Sequence, residues 1–221
     1  MAEKTSKDAP QGAVTHRCVL AIAVPMTLAY LSTPLLGLVD TTVIGRLGQA
    51  ELLGAIAIGA ILFDIVFTSF NFLRAGTTGI TAQALGARDD TELRATLGRA
   101  VAIALVAGLL LILLQRPVLS LGIWAMNASA EVNANVETYF QIRVLAAPLT
   151  LVNYAVLGWF IGLGRATTGL LLQTFLNGLN IVLNIWFVLG LGWGVAGVAW
   201  GTVIGEVLTA ILGAFVALRL L

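Results

Sequence analysis

The chain has 221 residues, of which 59% are hydrophobic and 10% charged, with a formal net charge of +1. Soluble domains run at roughly 45–50% apolar and 25% charged, so this balance excludes a soluble domain with one anchor and implies an integral membrane protein. The near-neutral charge gives no footing for nucleic acid, and a single cysteine, Cys18, excludes a disulfide framework.

In chain order, residues 1–17 form a polar tail of mixed charge, and the first span is predicted from Cys18 to Ile44. Its 22 uncharged residues from Cys18 to Val39 exceed a signal-peptide core and suffice to cross about 30 Å of hydrocarbon at ~1.5 Å per residue, so the span is read as retained. Pro25 and Pro34 lie within it, and Pro34 is expected to kink the helix and free a carbonyl near Asp40. An ionised carboxylate at membrane depth costs at least ~2.5 kcal/mol, which makes such acids rare and usually functional. Asp40 is read here as functional rather than as snorkelling beside Arg46, because Val43, Ile44, Gly45 and Leu47 still follow it.

The second span is predicted from Leu52 to Ala84, bent near Gly76 and Gly79, with Asp64 and Arg74 inside. Asp90 is the expected N-cap of a third helix whose span covers Leu97 to Leu114 and stops at Gln115-Arg116-Pro117. The apolar stretch Val118–Met126 is too short to cross and is assigned to the interface, with Asn127–Asn135 as a loop. A fourth span follows from Phe140 to Leu163, a fifth from Gly169 to Leu189, a glycine-rich turn at Gly190–Gly194, and a sixth over residues 195–218. The fold class is therefore an all-α integral membrane bundle of six transmembrane helices within residues 18–221. With the N-terminus inside, eight Lys and Arg residues fall on the inner side and two, Arg46 and Arg116, on the outer; Arg74 and Arg143 are assigned to neither. This asymmetry predicts a cytoplasmic N-terminus; the plasma (inner) membrane is the expected location.

In the fifth span Gln173, Asn177, Asn180 and Asn184 fall within a strip about 60° wide. Lipid offers amides no partner, so the strip either bonds a neighbouring helix or walls a polar cavity, and four amides in register favour the wall. Thr202, Glu206 and Thr209 make a second polar strip in the sixth span, beside a ridge of Gly197, Gly201 and Gly205 suited to close helix packing. Glu206 is read equally as a structural or a functional acid. Asn153 in the fourth span and Asp64 in the second are further candidates for the cavity. An enzyme is not expected: His16, the only histidine, precedes the first span, and no GxxxxGK[ST] segment is present.

Four stretches carry a family resemblance: PLLGLVDTTVIG (Pro34–Gly45), FLRAGTTGITAQALG (Phe72–Gly86), NGLNIVLN (Asn177–Asn184), and GVAGVA with TVIGE up to Glu206. Together they resemble the multidrug and toxic compound extrusion (MATE) transporters, DinF branch. The resemblance implies export of small organic, often cationic, substrates in exchange for H⁺ or Na⁺ by alternating access, with no other cofactor. It also implies two six-helix lobes, of which this chain matches the first, so a second lobe in the same or another chain is an expected partner beside the lipid bilayer. By the same resemblance Asp40 is the acid on which ion coupling depends, and Asn180 and Thr202 belong to the cation-binding network, giving a possible Na⁺ site at Asp40, Asn180 and Thr202. Asn184 stands where the family usually has an aspartate, which leaves Asp40 and Glu206 to carry the exchangeable cation. Asp40 is then expected to take up a proton outside and release it inside while Pro25 and Pro34 bend the first helix. The same amides and glycine ridges would also suit a non-transporting membrane assembly, a regulatory subunit, or half of a split transporter.

Overall fold

The computed structural model describes residues 16–220; of the expected polar tail, residues 1–15 lie outside this range. Nine α-helices are present among the described residues: α1 (His16–Gly45), α2 (Ala50–Thr68), α3 (Asn71–Ala87), α4 (Asp90–Leu113), α5 (Gln115–Met126), α6 (Ala130–Arg143), α7 (Ala147–Gly162), α8 (Ala166–Ile185) and α9 (Gly194–Leu218). They combine into six segments long and apolar enough to cross a membrane: Val19–Gly45, Ala50–Ala87, Asp90–Leu113, Ala130–Gly162, Ala166–Gly190 and Gly194–Leu218. The result is an all-α, multi-pass membrane bundle. Its outer face carries exposed Ile65, Val106, Leu113, Leu171, Val182 and Leu218, the apolar surface that lipid requires.

Local chemistry sets the helix ends, and in three places it departs from the sequence-based expectation. The second span breaks at Ser69–Phe70, between α2 and α3, and not at Gly76 and Gly79. There the Ser69 hydroxyl donates to the Ile65 carbonyl at 3.0 Å, a back-bond of the kind that bends helices, while Gly76 and Gly79 face open space. The cap of α4 is Asp89, whose carboxylate accepts from the Glu92 N–H at 2.9 Å, rather than Asp90. Arg88 ends α3 in the left-handed region (φ 57°), so the chain turns one residue sooner than expected. Lastly, Asn127–Asn135 is not all loop. Ser129 caps α6 by accepting from the Val132 N–H at 3.3 Å, and the fourth span begins at Ala130. A 3₁₀ turn at Val144–Ala146 joins α6 to α7, and a π turn at Trp186–Gly190 closes α8.

At the centre α7 packs against α3, α4 and α9, while α8 lies between α1 and α9, and α6 against α2 and α9. Trp159 of α7 is 1% exposed and donates its indole N–H to the Leu93 carbonyl of α4 at 3.1 Å. An aromatic cluster of Phe63, Phe67, Tyr139 and Phe140 fills the α2–α6 contact. Glycines set the closest approaches: Gly108 lies on the Pro148 backbone, Gly158 on the Arg74 carbonyl, Gly201 and Gly205 along α8, and Gly197 on Phe187 and Val188 of the π turn. A Cβ at Gly108 would meet backbone atoms, which cannot rotate away. Gly108→Ala should therefore destabilise by about 1–3 kcal/mol, whereas Gly79→Ala, in open space, should be neutral or stabilising. Thermal denaturation of the purified protein in detergent checks both.

Candidate functional site

The sequence places an acid on α1, an amide row on α8 and a hydroxyl on α9. The contacts of α1 with α8, and of α8 with α9, bring them together. Asn184 donates from Nδ2 to the Asp40 carboxylate at 2.5 Å and to Asn180 Oδ1 at 2.7 Å. Asn180 Nδ2 donates to Thr202 Oγ1 at 2.9 Å, and the Thr202 hydroxyl donates to the Val198 carbonyl at 3.1 Å. Asn184 is 0% and Asn180 1% exposed, so the chain of bonds runs through the packed interior from α1 to α9. Asn184 Oδ1 is buried and has no donor among the described residues. Gly201 makes room for it, since a Cβ there would overlap this same oxygen.

A second polar contact lies between α7 and α9. Asn153 Nδ2 donates to Glu206 Oε2 at 2.5 Å and to the Glu206 backbone carbonyl at 3.2 Å. The remaining candidates separate from these clusters. Gln173 is half-buried and donates to Asn177 Oδ1 at 3.1 Å. Asn177 is itself buried, and Asp64 is exposed on α2. Pro25 and Pro34 both lie inside the continuous helix α1.

Asn180 and Asn184 thus point into the packing of α8 with α1 and α9, while Gln173, further along the row, keeps partial exposure. Two grooves, of about 570 and 280 Å³, lie elsewhere. Gln115, Arg116, Ser120, Glu137 and Gln141 line the first, and Asp90, Arg94, Trp159 and Arg165 the second. Among the described residues no three His, Cys, Asp or Glu side chains cluster as a metal site. The oxygens near Asp40 that a cation could use belong to amides and a hydroxyl, and Asn184 stands between Asp40 and Asn180.

One interior charge, left unassigned in the sequence reading, finds its place in the structure. Arg143 ends α6, near the middle of the Ala130–Gly162 span. Its Nη1 donates to the Tyr139 hydroxyl at 2.7 Å, and its guanidinium carbon lies 4.6 Å from the Phe63 ring centre. The available signal was the Ser129 cap: a serine followed by an unbroken run without glycine or proline up to Ala147 allows a helix that sinks Arg143 into the membrane.

Residues 25–186 match the MatE family model. The chain is 40% identical to DNA damage-inducible protein F of Escherichia coli K12 over 90% of its own length and 44% of the relative's. It is 32% identical to Protein DETOXIFICATION 44, chloroplastic, of Arabidopsis thaliana, covering 88% of this chain and 39% of that one. It is 23% identical to Multidrug export protein MepA of Staphylococcus aureus, covering 88% and 43%. Among solved structures, an outward-facing multidrug resistance MATE family transporter superposes with a TM-score of 0.84 at 25% identity, covering 90% of this chain and 44% of that chain. The chain spans less than half the length of these relatives.

Proposed function

We propose that this chain, which belongs to the MatE family, forms one six-helix lobe of a secondary active transporter that exports small organic cations in exchange for H⁺ or Na⁺. The observation that carries this reading is the bonded series Asp40–Asn184–Asn180–Thr202, which crosses three helices. Polar groups at that depth are costly unless paired, and a carboxylate there is rarely structural.

In this reading Asp40 carries the exchangeable positive charge. Proton and organic cation compete for one carboxylate, so arrival of either expels the other and exchange needs no covalent step. The undonated Asn184 Oδ1 suits both occupants, since it can ligate a cation or accept from a carboxylic O–H. Glu206, held by Asn153, is a second coupling candidate. Asp64 and Gln173 keep enough exposure to meet a substrate, and Asn177, which accepts from Gln173, and Asn153 are further cavity candidates. Bending of α1 at Pro25 or Pro34 would open and close access. A second six-helix lobe, on the same or another polypeptide, is the expected partner, in the plasma (inner) membrane with the N-terminus cytoplasmic.

Cells expressing the protein should expel a fluorescent organic cation faster than vector controls. Dissipating the coupling gradient should abolish the difference: an uncoupler if H⁺ drives export, a sodium ionophore if Na⁺ does. Efflux that survives loss of both gradients would overturn the reading.

A further inference from the structure

The third and fourth spans are joined by α5, whose 12 residues cover about 18 Å, too little to cross a bilayer. Leu119 and Gly122 are its buried side, with Gly122 set against Leu62 of α2. At 100° per residue Leu121 and Trp124 fall on the opposite side, and they are 64% and 78% exposed. A leucine and a tryptophan turned outward at the end of a membrane span suit the lipid interface. Between the buried and the apolar exposed sides, Arg116 and Ser120 stand one turn apart and open onto the groove of about 570 Å³ that α5 shares with α6.

The two walls of this groove differ in chemistry. On α5 the Arg116 guanidinium, the Ser120 hydroxyl and the Gln115 amide can all donate. On α6 Gln141 Nε2 donates to Glu137 Oε1 at 2.8 Å, which leaves Glu137 Oε2 and Gln141 Oε1 to accept. The charges of the two walls do not pair with each other: among the described residues the one ion pair is that of Arg99 with Glu92, on α4.

We propose that the groove holds the headgroup of a phospholipid with a primary ammonium, of the phosphatidylethanolamine type, its phosphate on Arg116 and Ser120 and its ammonium on Glu137 and Gln141. Guanidinium and phosphate form strong charge-assisted bonds, and an ammonium has the three donors that the α6 wall can accept. One positive and one negative side chain match a headgroup that carries both charges. A purely anionic headgroup would meet the Glu137 carboxylate, and a choline has no N–H to donate. The exposed apolar side of α5 begins next to Ser120, so the acyl chains would lie along Leu121 and Trp124, and this is the reason for a lipid rather than a soluble ligand. The proposal does not depend on the transport reading.

Thermal denaturation of the purified protein in detergent, with added phosphatidylethanolamine, phosphatidylcholine or phosphatidylglycerol of identical acyl chains, tests this. Phosphatidylethanolamine at tenfold its Kd should raise the Tm by about 3–5 °C, well above the effect of the other two. Arg116→Gln should abolish that rise. Glu137→Gln should erase the preference by letting phosphatidylglycerol act as strongly as phosphatidylethanolamine. Both side chains are exposed, so the Tm without lipid should stay at the wild-type value. Equal shifts with all three lipids, or none, would overturn the proposal, as would a preference that survives both substitutions. Glycerophosphoethanolamine, which lacks acyl chains, should have little effect; a full shift with it would make the ligand a soluble one and overturn the assignment to lipid.

Discussion

Asp40→Asn should reduce gradient-driven efflux to the level of vector controls while the protein remains folded. The substituted amide keeps nearly the same shape, and its Oδ1 can still accept from Asn184 Nδ2, where the carboxylate accepts at 2.5 Å in the wild type. The change from a charged to a neutral acceptor weakens that bond by about 1 kcal/mol. It also removes the cost of holding an ionised group away from water, which acts in the opposite direction. Thermal stability should accordingly be equal to wild type or higher. What the variant lacks is a group able to exchange a proton or to offer a full negative charge. Undiminished efflux by a well-folded Asp40→Asn protein would remove Asp40 from the proposed mechanism.

The second large effect is expected at Gly201. Alanine is favoured over glycine in a helix by about 1 kcal/mol, so Gly201→Ala would stabilise α9 if the position were open. Instead the added methyl would overlap Asn184 Oδ1 and press on the Asn184 backbone nitrogen at 3.3 Å. Either α8 and α9 separate or Asn184 leaves its bonds to Asp40 and Asn180. Overpacking of this kind costs about 1–3 kcal/mol, and efflux should fall along with stability. Asn184→Ala alone should also destabilise, by leaving the buried Asn180 carbonyl without its donor. In the double variant the new methyl occupies space the amide has vacated, so the combined loss should be smaller than the sum by about 1 kcal/mol. Strict additivity in thermal denaturation would show that Gly201 and Asn184 do not share one space.

Much of this architecture was legible because membranes impose simple arithmetic. Long apolar runs, charge placement and the 4-3-4 spacing of Gln173, Asn177, Asn180 and Asn184 point to the spans and to a polar face on α8. What that face meets was not legible. Its burial against Thr202 and Gly201 depends on how α9 packs, and a row of amides reads alike whether it bonds a helix or lines a chamber. The pairing of Asn153 with Glu206 joins residues 53 apart in sequence, with no periodic signature. Arg143 fell inside the expected Phe140–Leu163 span but was assigned to neither side, because the polar residues that precede it give no sign of which groups it meets. Ser69 was passed over for glycines that have room around them but no cause to bend.

The undonated oxygen of Asn184 carries one last implication. A carboxyl that gains a proton turns from acceptor into donor, and the amide facing it must then present its other end. Asn184 already uses both N–H groups, toward Asp40 and toward Asn180, and its idle carbonyl is the end it has to offer. Turning it over would reverse the sense of the first dipole in a line that reaches α9 through Thr202. Word of a single proton at α1 can thereby reach Thr202 of α9 before any backbone has shifted.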